Sequence, residues 1–562
     1  MGRQYEAQVL AGQVDGPVRP RSVRHMNPSD ATESHGFSGS SLLNAGLLTT
    51  IAAILILDFN GYRRLMPVDE GQWLFYSDQL LSGRVLYKDV WYQFGPAVLY
   101  GLVGTMLLAG KTLATERVFF WLLNVAGLAS LYVFSTVLNR RVTPRLVLCL
   151  VALLNCLTCR LMMVNPGFLF RQCFNLLPLF LLFKAATGNK KSASLTFSAG
   201  VLSMLSVLVS QETGLFSFVA SSVFLVLRSR ESGTTGDWLK PLGCFVGGFL
   251  LVAALWSGFC LSQGSLKQYF LVGFGEVFLM AGKHQSAPFP GLSTLFGVKG
   301  DLVAYYHFGL TYVPVLTAVV SGAWLLIKKQ WNARVIALCS YGICTFSILL
   351  GRCDIYHSTF AALPLLLLLS YGYENAHCIR DSSVQTVRVG LIAMFCILIA
   401  VSNLSNLTRL ASNSRFAAKV SYEETLPYLG SALIPGWQHT VIRFAKSAVE
   451  ENTDPNQAIF AFLHAPHQYF FLDRPTRTRY ATPIFANNES AKKEILDDLQ
   501  LGDYEFLVYE PTRFPNIDYD YYFSEIFHYV KDRYVLHSEI ANRVQILKLK
   551  ESALAPRVPQ ME

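Results

Sequence analysis

The chain has 562 residues, of which 52% are hydrophobic and only 15% charged. Soluble proteins carry about a quarter charged residues, so this composition excludes a single soluble globular domain. The net charge of +9 is not gathered into a basic face with interleaved aromatics, which argues against nucleic acid as a partner.

Residues 1–40 are polar and rich in Gly, Pro, Ser and His, with Arg3, Arg19, Arg21 and Arg24 ahead of the first apolar run. This pattern predicts a disordered cytoplasmic tail. The run near 42–59 lacks a small-residue cleavage site and reads as an uncleaved first helix. Further apolar segments fall near 97–110, 115–138, 145–162, 172–187, 193–209, 213–228, 241–262, 303–327, 335–350, 357–373 and 389–403. A span needs roughly 20 apolar residues, so the expected core, residues 41–403, is a polytopic α-helical membrane bundle of about 11–13 transmembrane helices. The number of crossings within 97–162 stays open, because 97–110 is short for a span.

Basic clusters set the orientation. Arg140 with Arg141 and Arg145, Lys190 with Lys191, Arg228 with Arg230, Lys328 with Lys329 and Arg334, and Arg380 with Arg388 all flank apolar segments. Assigning them to the cytoplasm gives a consistent alternation from 145 onward and leaves 161–171, the turn at Gln211-Glu212, the loop 263–302 and Gly351 to His357 on the outer side; a cytoplasmic N-terminus puts 60–96 there too, though two full crossings between 97 and 138 would then put Arg140 and Arg141 outside. The tail after 403 then also faces outward. Its composition shifts to charged residues and tyrosine, with strand-like runs at 458–462, 506–509, 533–538 and 544–549 and helical stretches at 438–450 and 489–500. Residues 404–562 are therefore expected to form a small extracytoplasmic α/β domain of a size that can fold alone. Sequons stand at Asn403, Asn406 and Asn488.

All 11 cysteines lie between Cys149 and Cys396, and none falls in the tail, which argues against a disulfide framework. Cys156 and Cys159 read as buried membrane cysteines rather than a metal pair. Gly200, Gly214, Gly247 and Gly248 stand among apolar residues, where close helix packing accounts for them.

The chemistry concentrates in the outer loop 60–96. Asp69 and Glu70 follow Pro67, so they sit at or near a turn. The stretch Gln72 to Leu81 carries Trp73, Phe75, Tyr76, Leu80 and Leu81 and predicts a short helix at the membrane interface. A carboxylate at the border of lipid and water can act as a general base toward a hydroxyl or as a metal ligand. Two adjacent acids facing one cavity would repel and raise one pKa. Outer-side cations suited to a departing phosphate are Lys88, Arg171, Lys283, His284, Arg352 and His357. Arg352 and His357 stand out between two apolar segments; the plainer alternative for Arg352 is snorkelling. Asp354 can pair with Arg352. Glu212 is either a functional acid at membrane depth or a solvated cap. Lys88 and Asp89 bind each other or substrate. The aromatics Tyr269 to Phe278 could line a lipid-tail groove, with Lys283 and His284 at its end. The cluster Arg474 to Arg479 reads as a solvated turn or lid contact, and His439, His464 and His467 show no metal spacing.

Three stretches together resemble a known superfamily: Asp69-Glu70-Gly71, then Gly83 with Leu86-Tyr87-Lys88-Asp89, then Gly95-Pro96 with Tyr100 and Arg117. They look like the N-terminal signature of GT-C glycosyltransferases, in particular the protein O-mannosyltransferase-like and aminoarabinose-transferase-like bacterial group. Gly351-Arg352-Cys353-Asp354-Ile355-Tyr356-His357 followed by Pro364 is similar to a late motif of the same group. The resemblance implies an enzyme of a bacterial inner (plasma) membrane with a polyprenyl-phosphate-linked sugar donor. It implies transfer to a hydroxyl acceptor in the cell envelope, with Asp69 as general base. Glu70 would orient the acceptor or help hold a divalent metal where one is used. Tyr87, Lys88, Asp89, Arg171, Glu212, Lys283, His284, Arg352, Asp354 and His357 would serve substrate and phosphate. The competing reading is a transporter or flippase of a lipid-linked or anionic substrate. It expects ionisable groups at mid-membrane on repeated, broken helices, and neither is visible.

Overall fold

The computed structural model describes residues 39–61, 65–158, 168–187, 192–231, 238–276, 289–291, 302–327, 332–351, 353–375, 426, 428–463, 465–486, 488–501, 504–511 and 523–550. The expected N-terminal tail, the apolar run 389–403, the 403/404 boundary, the sequons at Asn403 and Asn406, Cys159, Lys283, His284 and Arg352 lie outside them.

Helices dominate. They are α1 (Gly39–Gly61), α2 (Asp69–Leu81), α3 (Pro96–Ala109), α4 (Leu113–Ser135), α5 (Val142–Thr158), α6 (Phe168–Cys173), α7 (Leu177–Ala185), α8 (Ser192–Val209), α9 (Gln211–Glu231) and α10 (Leu239–Ser262). After these come α11 (Leu266–Phe270), continued by a π-turn over Leu271–Glu276, then α12 (Leu302–Ile327), α13 (Ala333–Gly351) and α14 (Ile355–Asn375). Six of them, α1, α4, α8, α9, α10 and α13, are long and apolar enough to cross a membrane, and four shorter apolar stretches lie in α3, α5, α12 and α14. The protein is an integral multi-pass membrane protein. Its helices show large apolar side chains outward, among them Leu42, Leu108, Leu255 and Val320, as surfaces facing lipid must.

Bundle packing follows from small residues. Where α8 crosses α10, a Cβ on Gly200 would overlap the Phe245 carbonyl, and one on Gly248 would overlap the Phe197 carbonyl. Without a hydrophobic drive between helices in lipid, such backbone-to-backbone approach supplies the attraction. Gly247 has nothing near it, so it plays no such part. Helices α8 and α9 are joined by Ser210 alone, a hairpin that fixes Gln211 and Glu212 at one end of the bundle.

The C-terminal part holds α15 (Gly436–Asn452), β1 (Phe460–Leu463), α16 (Pro466–Leu472), α17 (Glu489–Leu501), β2 (Phe506–Glu510), α18 (Ser524–Arg533), β3 (Tyr534–Ile540) and β4 (Val544–Leu549). The sheet order is β1-β2-β4-β3. Strand β1 pairs parallel with β2, Leu463 opposite Glu510, while β4 runs antiparallel to both β2 and β3. All four residues of β1 are buried, as expected of a parallel strand covered on both faces.

One hydrophobic core spans this sheet and residues 65–106. It runs from Leu65, Trp73 and Trp91 through Tyr269 to Phe462, Phe470 and Ile546. Phe75 of α2 meets Tyr469 of α16 at 5.2 Å between ring centroids, and Trp91 stacks on Phe485 at 4.9 Å. Composition suggested a tail able to fold alone. Instead its apolar interior is completed by residues 65–106. Helix α2 has nine buried residues and packs against α16.

Candidate active site

The chain turns at Pro67-Val68 and enters α2 at Asp69. Consecutive helical residues point about 100° apart, so the two acids part company. Glu70 is 1% exposed and accepts from Arg117 at Nε, 2.8 Å, and at Nη2, 3.3 Å, while its second oxygen takes the Met66 amide at 2.8 Å. Arg117, in the second turn of α4, also donates to the Leu433 carbonyl at 3.1 Å. A buried carboxylate needs such partners. Glu70 therefore orders the turn, and Asp69 stays half-buried at the surface of the fold.

One helical turn beyond Asp69, Trp73 stacks on Phe94 with centroids 5.9 Å apart and planes 13° from parallel. The guanidinium of Arg171 lies over the Phe94 ring of this pair, 4.8 Å from its centroid. Arg171 is 8% exposed, donates Nη2 to Ser210 at 3.3 Å, and leaves its Nε without a hydrogen-bond partner. Glu212, in the first turn of α9, is the carboxylate acting on it most strongly. Gly95 makes this assembly possible: a Cβ there would collide with the backbone of Leu208 and Val209 at the α8–α9 hairpin.

The loop 82–95 is held from the C-terminal side. Arg84 donates to Gln79 Oε1 at 2.7 Å, to the carbonyls of Thr478 at 3.1 Å and of Thr476 and Arg477 at 3.3 Å, and to the Asp89 carbonyl. Burial lowers its pKa, opposed by the Asp89 carboxylate. Arg479 donates to the Tyr87 carbonyl at 3.2 Å, and the Trp91 amide returns a bond to Arg479 at 2.8 Å. Trp91 Nε1 donates to Glu276 at 2.7 Å. Tyr87 takes a left-handed backbone, φ 67°, although it is a buried aromatic. Such strain persists where surroundings over-determine it, and it clusters at functional sites.

Asp69, Glu70, Tyr87, Asp89, Arg171 and Glu212 are thus gathered around α2 and the bundle end. Asp89 spends its carboxylate on the Val85 amide at 2.9 Å, and Tyr87 its hydroxyl on the Phe94 carbonyl at 2.9 Å. Lys88 is exposed beside the turn at Gly264. Asp354 pairs with His357: its oxygen meets the His357 Nδ1 at 2.7 Å and takes the His357 amide at 2.9 Å, capping α14. No cluster of three His, Cys, Asp or Glu able to hold a metal occurs among the described residues. Arg84, Glu276 and the carbonyls of 476–478 escaped the sequence reading, because their partners are remote: Arg84 and Thr476 are 392 positions apart.

No family model and no curated protein sequence matches the chain. The solved structures do. The crystal structure of ArnT from Cupriavidus metallidurans bound to undecaprenyl phosphate is similar with a TM-score of 0.52 at 12% identity, over 92% of this chain and 100% of that one. The same protein in the apo state gives 0.51 at 13% identity, over 91% of this chain and 99% of that one. The chain therefore shares the overall fold of that protein over most of its length, in keeping with the fold its short motifs suggested.

Proposed function

We propose that the protein is a membrane glycosyltransferase that moves a sugar from a polyprenyl-phosphate carrier to a hydroxyl acceptor on the non-cytoplasmic face. The observation that supports this most is a buried guanidinium with an unused donor: Arg171 lies over Phe94, which stacks on Trp73 one helical turn after the half-buried carboxylate Asp69. In transfer, the acceptor hydroxyl gives its proton to Asp69. Its oxygen bonds to the anomeric carbon while the bond from that carbon to the phosphate oxygen breaks, and the electron pair leaves on the phosphate. Arg171, a buried cation with a free donor, is the group we assign to stabilise that charge. Lys88, Lys283, His284, Arg352 and His357 are further candidates for the lipid phosphate. Glu70 acts by setting the turn that presents Asp69. No step is assigned to a metal.

The test is transfer by the protein purified into lipid nanodiscs, with polyprenyl-phosphate sugars as donors, alongside mass spectrometry of envelope glycans. Asp69→Asn is expected to lower transfer by at least about 100-fold while leaving thermal unfolding unchanged. Near-normal transfer by that variant would remove Asp69 as the base.

A further inference from the structure

The C-terminal part carries one exposed aromatic ring that the transfer chemistry leaves unused. Among its described residues between 426 and 550, every phenylalanine, tyrosine and tryptophan is buried or half-buried except Trp437, which is 42% exposed. Trp437 is the second residue of α15, and the guanidinium of Arg543 lies over its ring, 4.2 Å from the centroid. Arg543 arrives from the β3–β4 turn. Ala541 and Asn542 both take the left-handed backbone there, φ 48° and 53°, and the Arg543 amide donates to the Ile540 carbonyl at 2.9 Å. Two left-handed residues match the twist of a hairpin, so the turn fixes where Arg543 starts. Arg543 is itself exposed and forms no ion pair among the described residues.

The chain leading to Trp437 wraps the mouth of the membrane bundle. Helix α4 is apolar enough to span from Leu113 onward. The Leu113 amide donates to the Tyr428 carbonyl, the Ala114 amide to the Leu429 carbonyl, and Arg117 to the Leu433 carbonyl. Arg117 stands four residues inside that span, about 6 Å along the helix axis, so Leu433 lies at the membrane boundary. Gln438, next to Trp437, takes the Leu65 amide at 2.9 Å and donates to the Leu65 carbonyl at 2.8 Å, four residues beyond the end of α1. Trp437 is thus tied between the ends of two membrane helices. Nearby, Lys111 reaches the Tyr428 ring, and Leu107 and Leu108 just before it are 72% and 92% exposed. Two adjacent leucines so bare suit a surface that meets lipid. A protein partner would need a broader apolar patch. The other exposed large apolar residues of the sheet, Val535 and Leu536, stand at the opposite end of β3 from the Arg543 turn.

We infer that Trp437 and Arg543 rest on the lipid headgroups and seat the C-terminal part on the bilayer. At such a border an indole keeps its apolar body among the upper chains and its N–H in the polar layer. A guanidinium beside it meets lipid phosphates with paired donors. The seat does not depend on the transferase reading. Fluorescence of the full chain in lipid nanodiscs tests it. The signal lost in Trp437→Phe reports Trp437 alone, and Trp437→Tyr, which keeps an interfacial ring, is expected to give the same difference. In discs of lipid brominated at the upper acyl carbons, this signal is expected to fall by about half or more. Acrylamide in the buffer is expected to quench it at least about threefold less than it quenches free N-acetyltryptophanamide. Arg543→Gln, which removes the tie to phosphate, is expected to raise acrylamide quenching about twofold. Full quenching by acrylamide with no effect of bromine would overturn the seat and leave the ring open to a glycan or a protein. Protection from both quenchers would overturn it too, by showing that protein covers the ring.

Discussion

Glu70 and Arg117 show how a single pair can decide the use of its neighbour. The carboxylate is sealed, and removing only one partner leaves an uncompensated buried charge. Arg117→Ala is expected to cost about 3–5 kcal/mol in stability. In a double-mutant cycle with Glu70→Ala, the second substitution should restore part of that loss, read by thermal unfolding in detergent. Asp498 on α17 behaves oppositely. Burial, then Glu494, push its pKa from 3.8 up to about 6, with Arg84 opposing. The folded state thus holds its proton more tightly, so stability falls as pH rises through that window and the deficit is complete above it. Asp498→Asn is expected to gain on the order of 1 kcal/mol at pH 7, after allowance for solvent screening, and nothing at pH 3.5. Unfolding temperatures at the two pH values check this.

Helices and strands set the frame in which such pairs work, and here the local pattern was largely sufficient. The expected strands at 506–509 and 544–549 appear at Phe506–Glu510 and Val544–Leu549, because alternation and β-branched content act over neighbouring residues. The acids at 69 and 70 were recognisable for the same reason. The partner of α2 was not: nothing in its own sequence shows that its aromatic residues meet α16 of the C-terminal part. The partition between Asp69 and Glu70 was also hidden, since Arg117 reaches back 47 positions to make it. At the α8–α10 crossing, Gly248→Val is expected to wedge the helices apart and cost more than about 3 kcal/mol, seen as loss of monodisperse protein on gel filtration.

Across the molecule, the C-terminal part is clasped to the membrane core by charges as well as by shared apolar interior. Lys111, between α3 and α4, bonds to Asp78 of α2 and, at 3.3 Å, to Asp473 beyond α16, with its ammonium 4.8 Å from the Tyr428 ring centroid. Burial raises the Asp78 pKa more than Lys111 lowers it. At Asp473, burial is outweighed by the Tyr428 hydroxyl and Lys111, which hold its pKa low. Lys111→Ala is expected to loosen this attachment, raising the rate of protease cleavage after residue 403 several-fold while the membrane helices stay intact on gels.

Arg84 adds a matter of timing. Its carbonyl partners at 476–478 are synthesised about 392 residues after it, which at 5–20 residues per second is roughly 20–80 s. For that interval loop 82–95 lacks the backbone groups that shape it, so its final form waits until nearly the whole chain has been translated.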